Sequence, residues 1–333
     1  VMAKDQASNI GYGLVGQLNT DNTKPTVDSV NVDPVPAKAG TVTITITFSE
    51  NMKTSVSPTV EVTGLTSSYT VTQTSYSENT WTGTFELKDE DEETTATIVI
   101  SEAQDLAGNV MNLDSSHTFY VDTVEPTITI TDIRDYVNSL TQISGTASDS
   151  GSGVNKVEVL IIDTTDQSNL QYWTGSAWAD IEPTDWPDAT GTTSWTFTMP
   201  ALTDAHTYTI KAKATDNAGN VGTSDECSET ETFTYDISAP TFTINDGTET
   251  GPVQTDTINV EVKDNSPIVE SKYAFSNDNV CNADDNYAYD FESKVDFTIA
   301  DDHTDYLCVM AKDQASNIGY GLVGQLNTDN TKP

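Results

Sequence analysis

Basic residues are scarce in this 333-residue chain: fourteen Lys and Arg stand against fifty-two Asp and Glu, a formal charge of −38. A field of that sign repels phosphate backbones and anionic headgroups, so nucleic acid and direct membrane binding are disfavoured as partner classes and cations are favoured. Long apolar runs are missing too. No stretch approaches the roughly eighteen apolar residues that a membrane helix needs. The first residues carry no basic-then-apolar export segment and read as mid-chain. Cysteine is nearly absent, with residues only at 227, 281 and 308. Cys281 and Cys308 are expected to pair, closing a loop of about 27 residues worth roughly 3 kcal/mol, in keeping with an oxidising setting. Two buried free thiols are the alternative, and Cys227 is left over by the pairing. The three histidines, 117, 206 and 303, each precede Thr beside an expected strand and read as outward strand residues. No H-E-x-x-H, G-x-S-x-G or Cys/His metal spacing occurs, so no enzyme active site is visible.

What is present is repetition. Residues 1–25 recur without change at 309–333. Two short motifs recur in fixed order inside that frame. The first is Asp-x-Ala-Gly/Ser-Asn-Val/Ile, starting at Asp5, Asp105, Asp216 and Asp313. The second is Asp-x-x-x-Pro, starting at Asp21, Asp122, Asp236 and Asp329 and ending 20 to 24 residues beyond the first Asp. Successive prolines of the second motif lie 101, 114 and 93 residues apart, which together equal the 308-residue offset between the terminal copies. Three unequal units follow, 26–125, 126–239 and 240–333, with 1–25 expected to be the last two strands of a preceding repeat.

Within the units, segments such as "TVTITITFSE" (41–50) and "HTYTIKAKATD" (206–216) alternate polar and apolar residues and are rich in Thr, Val and Ile. No segment sustains a helical period. Seven short strands per hundred or so residues, punctuated by Gly, Asn, Asp and Pro, predict all-β, tandem Ig-like seven-stranded sandwiches arranged as a rod. In the second unit the strands are expected at 127–131, 140–148, 154–163, near 170–178, 194–199, 206–215 and 230–235. The Ala-Gly-Asn step then falls in the turn between the last two strands, F and G, where positive φ is needed. The recurring "ATDNAGNV", "AKDQASNI" and "AQDLAGNV", with "TITFSENM" (45–52) and "ISGTASDSGSGV" (143–154), resemble the bacterial Ig-like repeats of large surface proteins and adhesins. That resemblance covers the whole chain and identifies architecture better than function, since such repeats serve stalks, adhesins, surface layers and enzyme appendages.

Three features could carry chemistry. "GYGLVG" (11–16) fits G-x-G-x-x-G, but "QLNTDNTKP" follows it and cannot open the helix a dinucleotide site requires, so these glycines read as strand material. Tyr172, Trp173, Trp178, Trp186 and Trp195 cluster in the second unit. They read as an aromatic patch over the sandwich with Trp195 in the core, or alternatively, through Tyr172, Trp173 and Trp178, as a stacking platform for sugar rings. The acidic positions give the strongest argument. Glu50, Asp149 and Asp264 lie 25, 23 and 24 residues beyond the leading Pro of their units, just after the second strand. In an Ig-like sandwich that B–C turn, the F–G turn and the start of strand A share one pole. Asp21, Glu50 and Asp105 should therefore converge, as should Asp122, Asp149 and Asp216, and Asp236, Asp264 and Asp313. Three carboxylates at one spot repel unless a cation sits among them, and Ca²⁺ fits best because it takes six to eight oxygen ligands. The resemblance implies the same, since adhesin arrays of this kind hold Ca²⁺ at such junctions. The rival reading gives each Asp only a turn-capping role.

These readings predict an extracellular, non-enzymatic spacer on a bacterial cell surface, stiffened by Ca²⁺ at its junctions and contacting neighbouring repeats, with surface glycans or proteins as further partners. The alternatives are a carbohydrate- or ligand-binding module and a subunit of a surface lattice or filament.

Overall fold

The computed structural model describes residues 2–4, 6, 10–12, 20–224, 230–245, 259–292 and 306–325. Asp5, Gly13, Gly16, Cys227, His303 and Asp329 lie outside the described residues. The chain divides into two compact units. One is Val1–Pro126 with Asp149–Gly153 and Asp216–Asn220; the other is Thr127–Ser148, Val154–Thr215 and Val221–Pro333. Among the described residues every regular element is a strand.

The strand Gly40–Phe48 shows why. Val42, Ile44, Ile46 and Phe48 point inward and are fully buried, while Thr41, Thr43, Thr45 and Thr47 point out. A strict two-residue period of this kind buries one face only, which is the condition for a sheet packed on one side. The strand pairs with Val27–Asp33 on one side and Thr80–Leu87 on the other, and Thr72–Ser77 closes the far edge. The opposing sheet runs Asp114–Asp122, Glu93–Ser101, Thr59–Thr63, Tyr69–Thr70. Trp81, from Thr80–Leu87, fills the space between the sheets and donates its indole N–H to Gln73 Oε1 at 2.9 Å. Removing so large a buried ring costs about 3–5 kcal/mol in typical cores.

The second sandwich repeats the plan. Thr127–Ile130, Gln142–Ser148 and Ser194–Thr198 form one sheet. The other orders Tyr136–Val137, Glu231–Tyr235, His206–Asp216, Val154–Asp163, Gln171–Trp173 and Trp178–Ala179, with Val221–Thr223 also on His206–Asp216. All seven expected strands are present within one or two residues, except that the segment near 170–178 is a hairpin of two very short strands. Trp195 stands at the core position that Trp81 holds in the first sandwich and is buried, as expected. The backbone of Gly145 packs against its ring and against Thr129 O so closely that a Cβ has no room. Tyr208 sends its hydroxyl back to accept the Thr203 amide at 2.9 Å, tying down the loop that leads into its strand.

In the third sandwich Thr241–Asn245 pairs with Asn259–Lys263, opposite a sheet ordered Tyr289–Asp290, Ile268–Ser276, Tyr306–Asp313, Ile318–Gln325. Cys281 and Cys308 are joined in a disulfide with Cα atoms 5.4 Å apart. Near the start of the chain Met2–Lys4 pairs with Ile10–Tyr12 in the register that Met310–Lys312 and Ile318–Tyr320 show 308 residues later. Identical sequence there folds into an identical pairing.

Candidate metal centres at the linker poles

The Asp-x-Ala-x-Asn segments form the same turn three times. In each, the Asp amide donates to the carbonyl of the Asn four residues on, at 3.2 Å for Asp105, 3.1 Å for Asp216 and 3.1 Å for Asp313. The Asp carboxylate returns the bond: Oδ1 accepts the Asn amide at 2.8, 2.8 and 2.7 Å. Its Oδ2 accepts the Asn side-chain Nδ2 at 2.6, 2.8 and 2.8 Å. The fourth residue sits in the left-handed region, Gly108 at φ 91°, Gly219 at 93° and Ser316 at 80°, which explains the Gly/Ser alternation at that place. Burial opposes ionisation of Asp105, but the bonds from Asn109, Gly108 and Ala107 outweigh it and hold the carboxyl below its ordinary range.

Each Asn also holds the linker. Its remaining Nδ2 hydrogen goes to a linker carbonyl: Asn109 to Asp21 O at 3.2 Å, Asn220 to Asp122 O at 2.9 Å, Asn317 to Asp236 O at 2.8 Å. The linker Asp itself does two things. One oxygen caps the bend, accepting Thr23 N at Asp21 (2.9 Å), Val124 N at Asp122 (3.2 Å) and Ser238 N at Asp236 (3.1 Å). At Asp236 the other oxygen, Oδ2, is buried with no hydrogen-bond partner, on a side chain with no solvent exposure. The B–C aspartates behave alike. Asp264 Oδ2 accepts Ser266 N and Oγ, each at 3.0 Å. Asp149 Oδ2 accepts Gly153 N at 2.6 Å, and its Oδ1 is buried and unpartnered. At Asp236 and Asp149 one oxygen caps a turn and the other is left to the cluster, whereas at Asp122 the second oxygen, Oδ2, accepts Ser152 N at 2.7 Å.

Asp21, Glu50 and Asp105 bring carboxylate oxygens within 4.8 Å of one another, and so do Asp236, Asp264 and Asp313. The middle trio differs from expectation: Glu93 joins Asp122 and Asp149, again within 4.8 Å, and Asp216 is not part of it. Asp216 Oδ1 is taken by Gly219 N and Asn220 N, yet its charge still reaches Asp149. Glu93 also accepts Ser150 Oγ, from the B–C turn, at 2.7 and 2.9 Å. It stands at the end of the acidic run Asp89–Glu93, where nothing in the spacing distinguishes it from its neighbours. Gly151 is a second residue the sequence did not single out: a Cβ there would lie 2.6 Å from Asp122 Oδ2.

The electrostatic strain is legible in the carboxyls. Burial pushes Asp236 up from its ordinary value against the opposing pull of the nearby Ser266 hydroxyl and the Ser238 amide, and Asp264 and Asp313 push it further. Burial does the same to Asp149, with Asp122, Asp216 and Glu93 adding to it, and to Glu50, with Asp105 and Asp21 adding. Buried, unpartnered carboxylate oxygens beside further carboxylates fit a hard cation that prefers oxygen ligands. The first pole fits least closely, since Asp21 is exposed and Glu50 half-buried.

The aromatic, glycine and histidine candidates all make contacts within the sandwiches. Trp173 meets Trp178 edge-to-face at 5.6 Å between centroids, Trp178 meets Tyr208 at 5.7 Å, and both tryptophans pack on the core. Tyr172 pairs with Ala179 in the same hairpin and with Ile162 of the neighbouring strand Val154–Asp163, and Trp186 lies under Lys213 Nζ at 4.8 Å. In the second copy of G-x-G-x-x-G, Gly319 passes against the backbone of Pro240 and Gly321 against the Phe242 ring, so strand crossing explains both glycines. His206 Nδ1 is 2.6 Å from Asp163 Oδ2, and His117 Nε2 is 3.7 Å from Asp114 Oδ2.

Residues 79–236 match the model of the bacterial Ig-like domain family, group 3. No curated protein matches the chain. Among solved structures the chain is similar to a tetra-tandem repeat in the extending region of a large adhesion protein, at 17% identity over 99% of this chain and 80% of that one, with a TM-score of 0.33. It is also similar to the FN1–FN3 domains of chicken CNTN1, at 10% identity over 90% of this chain and all of the other, with a TM-score of 0.25.

Proposed function

With residues 79–236 bacterial Ig-like, we propose that this chain is a non-enzymatic spacer segment of a large extracellular bacterial surface protein, whose linker poles are cation sites that stiffen it. The observation that carries the reading is the buried, unpartnered Oδ2 of Asp236 beside Asp264 and Asp313. A polar atom with no solvent and no hydrogen bond is costly unless something else satisfies it. Ca²⁺ bound by those three residues, and by the trio Glu93, Asp122 and Asp149, supplies positive charge that offsets their repulsion. The chain's own residues do the rest. Asp236 and Asp122 belong to linkers, Asp264 and Asp149 to B–C turns, and Asp313 to an F–G turn, so drawing their carboxylates together ties three segments into one body. Repulsion among the same carboxylates loosens that body when they are ionised and uncompensated.

The extracellular assignment rests on the repeat family and agrees with the Cys281–Cys308 disulfide. Partners are neighbouring repeats of the same polypeptide. The packed faces of Trp173 and Trp178 support the structural reading of the aromatic cluster over a sugar platform. Small-angle scattering of the chain during a Ca²⁺ titration tests the proposal: a narrower range of shapes is expected with the ion than with chelator. Superimposable profiles in the two conditions would refute it.

A further inference from the structure

We propose that the asparagine closing each described Asp-x-Ala-x-Asn turn is a positioning residue that latches the linker without any cation, and that at the middle and third poles a side chain of the preceding sandwich completes the latch. Its effect on affinity rests on the cation reading above; the latch itself does not.

Asn317 carries the argument. Its carboxamide offers two donors and one acceptor group, and all are used. Nδ2 donates to Asp313 Oδ2 and to the linker carbonyl of Asp236, each at 2.8 Å. Oδ1 accepts Nδ2 of Asn138 at 3.1 Å. Asn138 directly follows Tyr136–Val137, the short strand that pairs in parallel with Thr234 and Tyr235 just before the linker. Asp236 N in turn donates to Val137 O at 2.9 Å. One asparagine therefore grips the metal-facing carboxylate, the linker backbone and the sandwich before it.

The same place in the first sandwich is filled by different chemistry. Ala37 bridges Val121 in parallel and accepts the Asp122 amide at 2.9 Å, as Val137 does for Asp236. The next residue is Lys38, and its Nζ donates to Gly219 O, in the following F–G turn, at 2.6 Å. Asn220 of that turn holds Asp122 O at 2.9 Å. Two unrelated side chains, Lys38 and Asn138, thus make the same reach from the same position. A linker carbonyl held in this way fixes the backbone that aims the Asp side chain, so less ordering remains to be done when an ion binds. Partners that orient metal ligands in this manner typically change affinity by about 10–100-fold.

The test uses the full chain with Asn138→Ala, which removes no carboxylate and no bond within the third sandwich, and with Asn317→Ala. Amide exchange at Ser238 is followed in chelator, and Ca²⁺ uptake by calorimetry. Both variants are expected to speed Ser238 exchange in chelator. Asn317→Ala should weaken uptake at the third pole about 10–100-fold, and Asn138→Ala a few-fold. Asn138→Lys, which copies the Lys38 arrangement, should restore the protection. Unchanged Ser238 exchange in Asn138→Ala overturns the latch whatever Ca²⁺ does. A wild-type chain that takes up no Ca²⁺ defeats the cation reading, and the exchange measurement still decides the latch.

Discussion

Replacing Asp236 by Asn should stabilise the chain in chelator and destabilise it relative to wild type in saturating Ca²⁺. The carboxamide keeps Oδ1 as the acceptor for Ser238 N and removes one charge from a trio whose oxygens lie within 4.8 Å of one another. At that separation and an effective dielectric near 20, each ionised pair costs about 3 kcal/mol. Two such pairs involve Asp236, together comparable to the net stability of a marginal domain. Partial protonation relieves some of it, since the Asp236 carboxyl is already pushed up by burial and by its neighbours. A net gain of about 1–2 kcal/mol in chelator is therefore expected, allowing for protonation and local relaxation. With Ca²⁺ the sign inverts. Wild type gains about 2.7 kcal/mol when the free ion is 100-fold above its dissociation constant, and the variant, lacking a ligand, forfeits most of that. Scanning calorimetry of both proteins in both conditions reads the crossing directly. A variant less stable than wild type in chelator, or one gaining as much from Ca²⁺ as wild type, would refute the reasoning.

Gly151→Ala should cost about 1–3 kcal/mol by overpacking, because the new Cβ meets the Asp122 carboxylate, and should weaken cation uptake at the middle pole; denaturant unfolding and calorimetry read the two effects. Ser316→Gly should add about 0.5–1 kcal/mol, since Ser316 is held at φ 80° where glycine is at ease; an unchanged unfolding midpoint would remove strain from the account of this turn. In chelator, the contribution of Asp236 and Asp149 to stability should fall as pH rises, which the difference in unfolding free energy between wild type and Asp236→Asn across pH reads for Asp236. The carboxyls of Asp236 and Asp149 are raised on folding, so the folded chain binds more protons than the unfolded one between the ordinary Asp value near 3.9 and the raised one. Above that window the loss is complete, and with Ca²⁺ present the trend should reverse because the ion needs the ionised form.

Much of the fold was legible before any coordinates, because it rests on local rules. The alternation in Gly40–Phe48 and the Thr-rich second-unit strands needed only the two-residue period of a one-sided sheet. The recurring Asp-x-Ala-x-Asn step likewise specifies its own turn, with Gly or Ser at the left-handed position. The acidic trios at the first and third poles could be foreseen since strand order dictates which turns share a pole. Glu93 could not, because the acidic run around it has no internal mark that selects one carboxylate. Gly151 and Asn138 were equally silent: their roles exist only where separate loops meet.

Sequence alone, then, determined the repeat, the all-β character and the residue types at each pole, since these follow from periodicity and turn chemistry within a few neighbouring residues. Tertiary structure decided which carboxylates face each other, which oxygen of each is already used in a turn, and which asparagine or lysine reaches across from the preceding sandwich. Those facts depend on distances between residues 30 to 181 positions apart in the hydrogen bonds that show it, from Asp122 to Ser152 at the short end to Lys38 and Gly219 or Asn138 and Asn317 at the long end. The terminal G-x-G-x-x-G obeys the same division. Its sequence could argue against a nucleotide, but only the backbone of Pro240 lying against Gly319 says what the glycine is for.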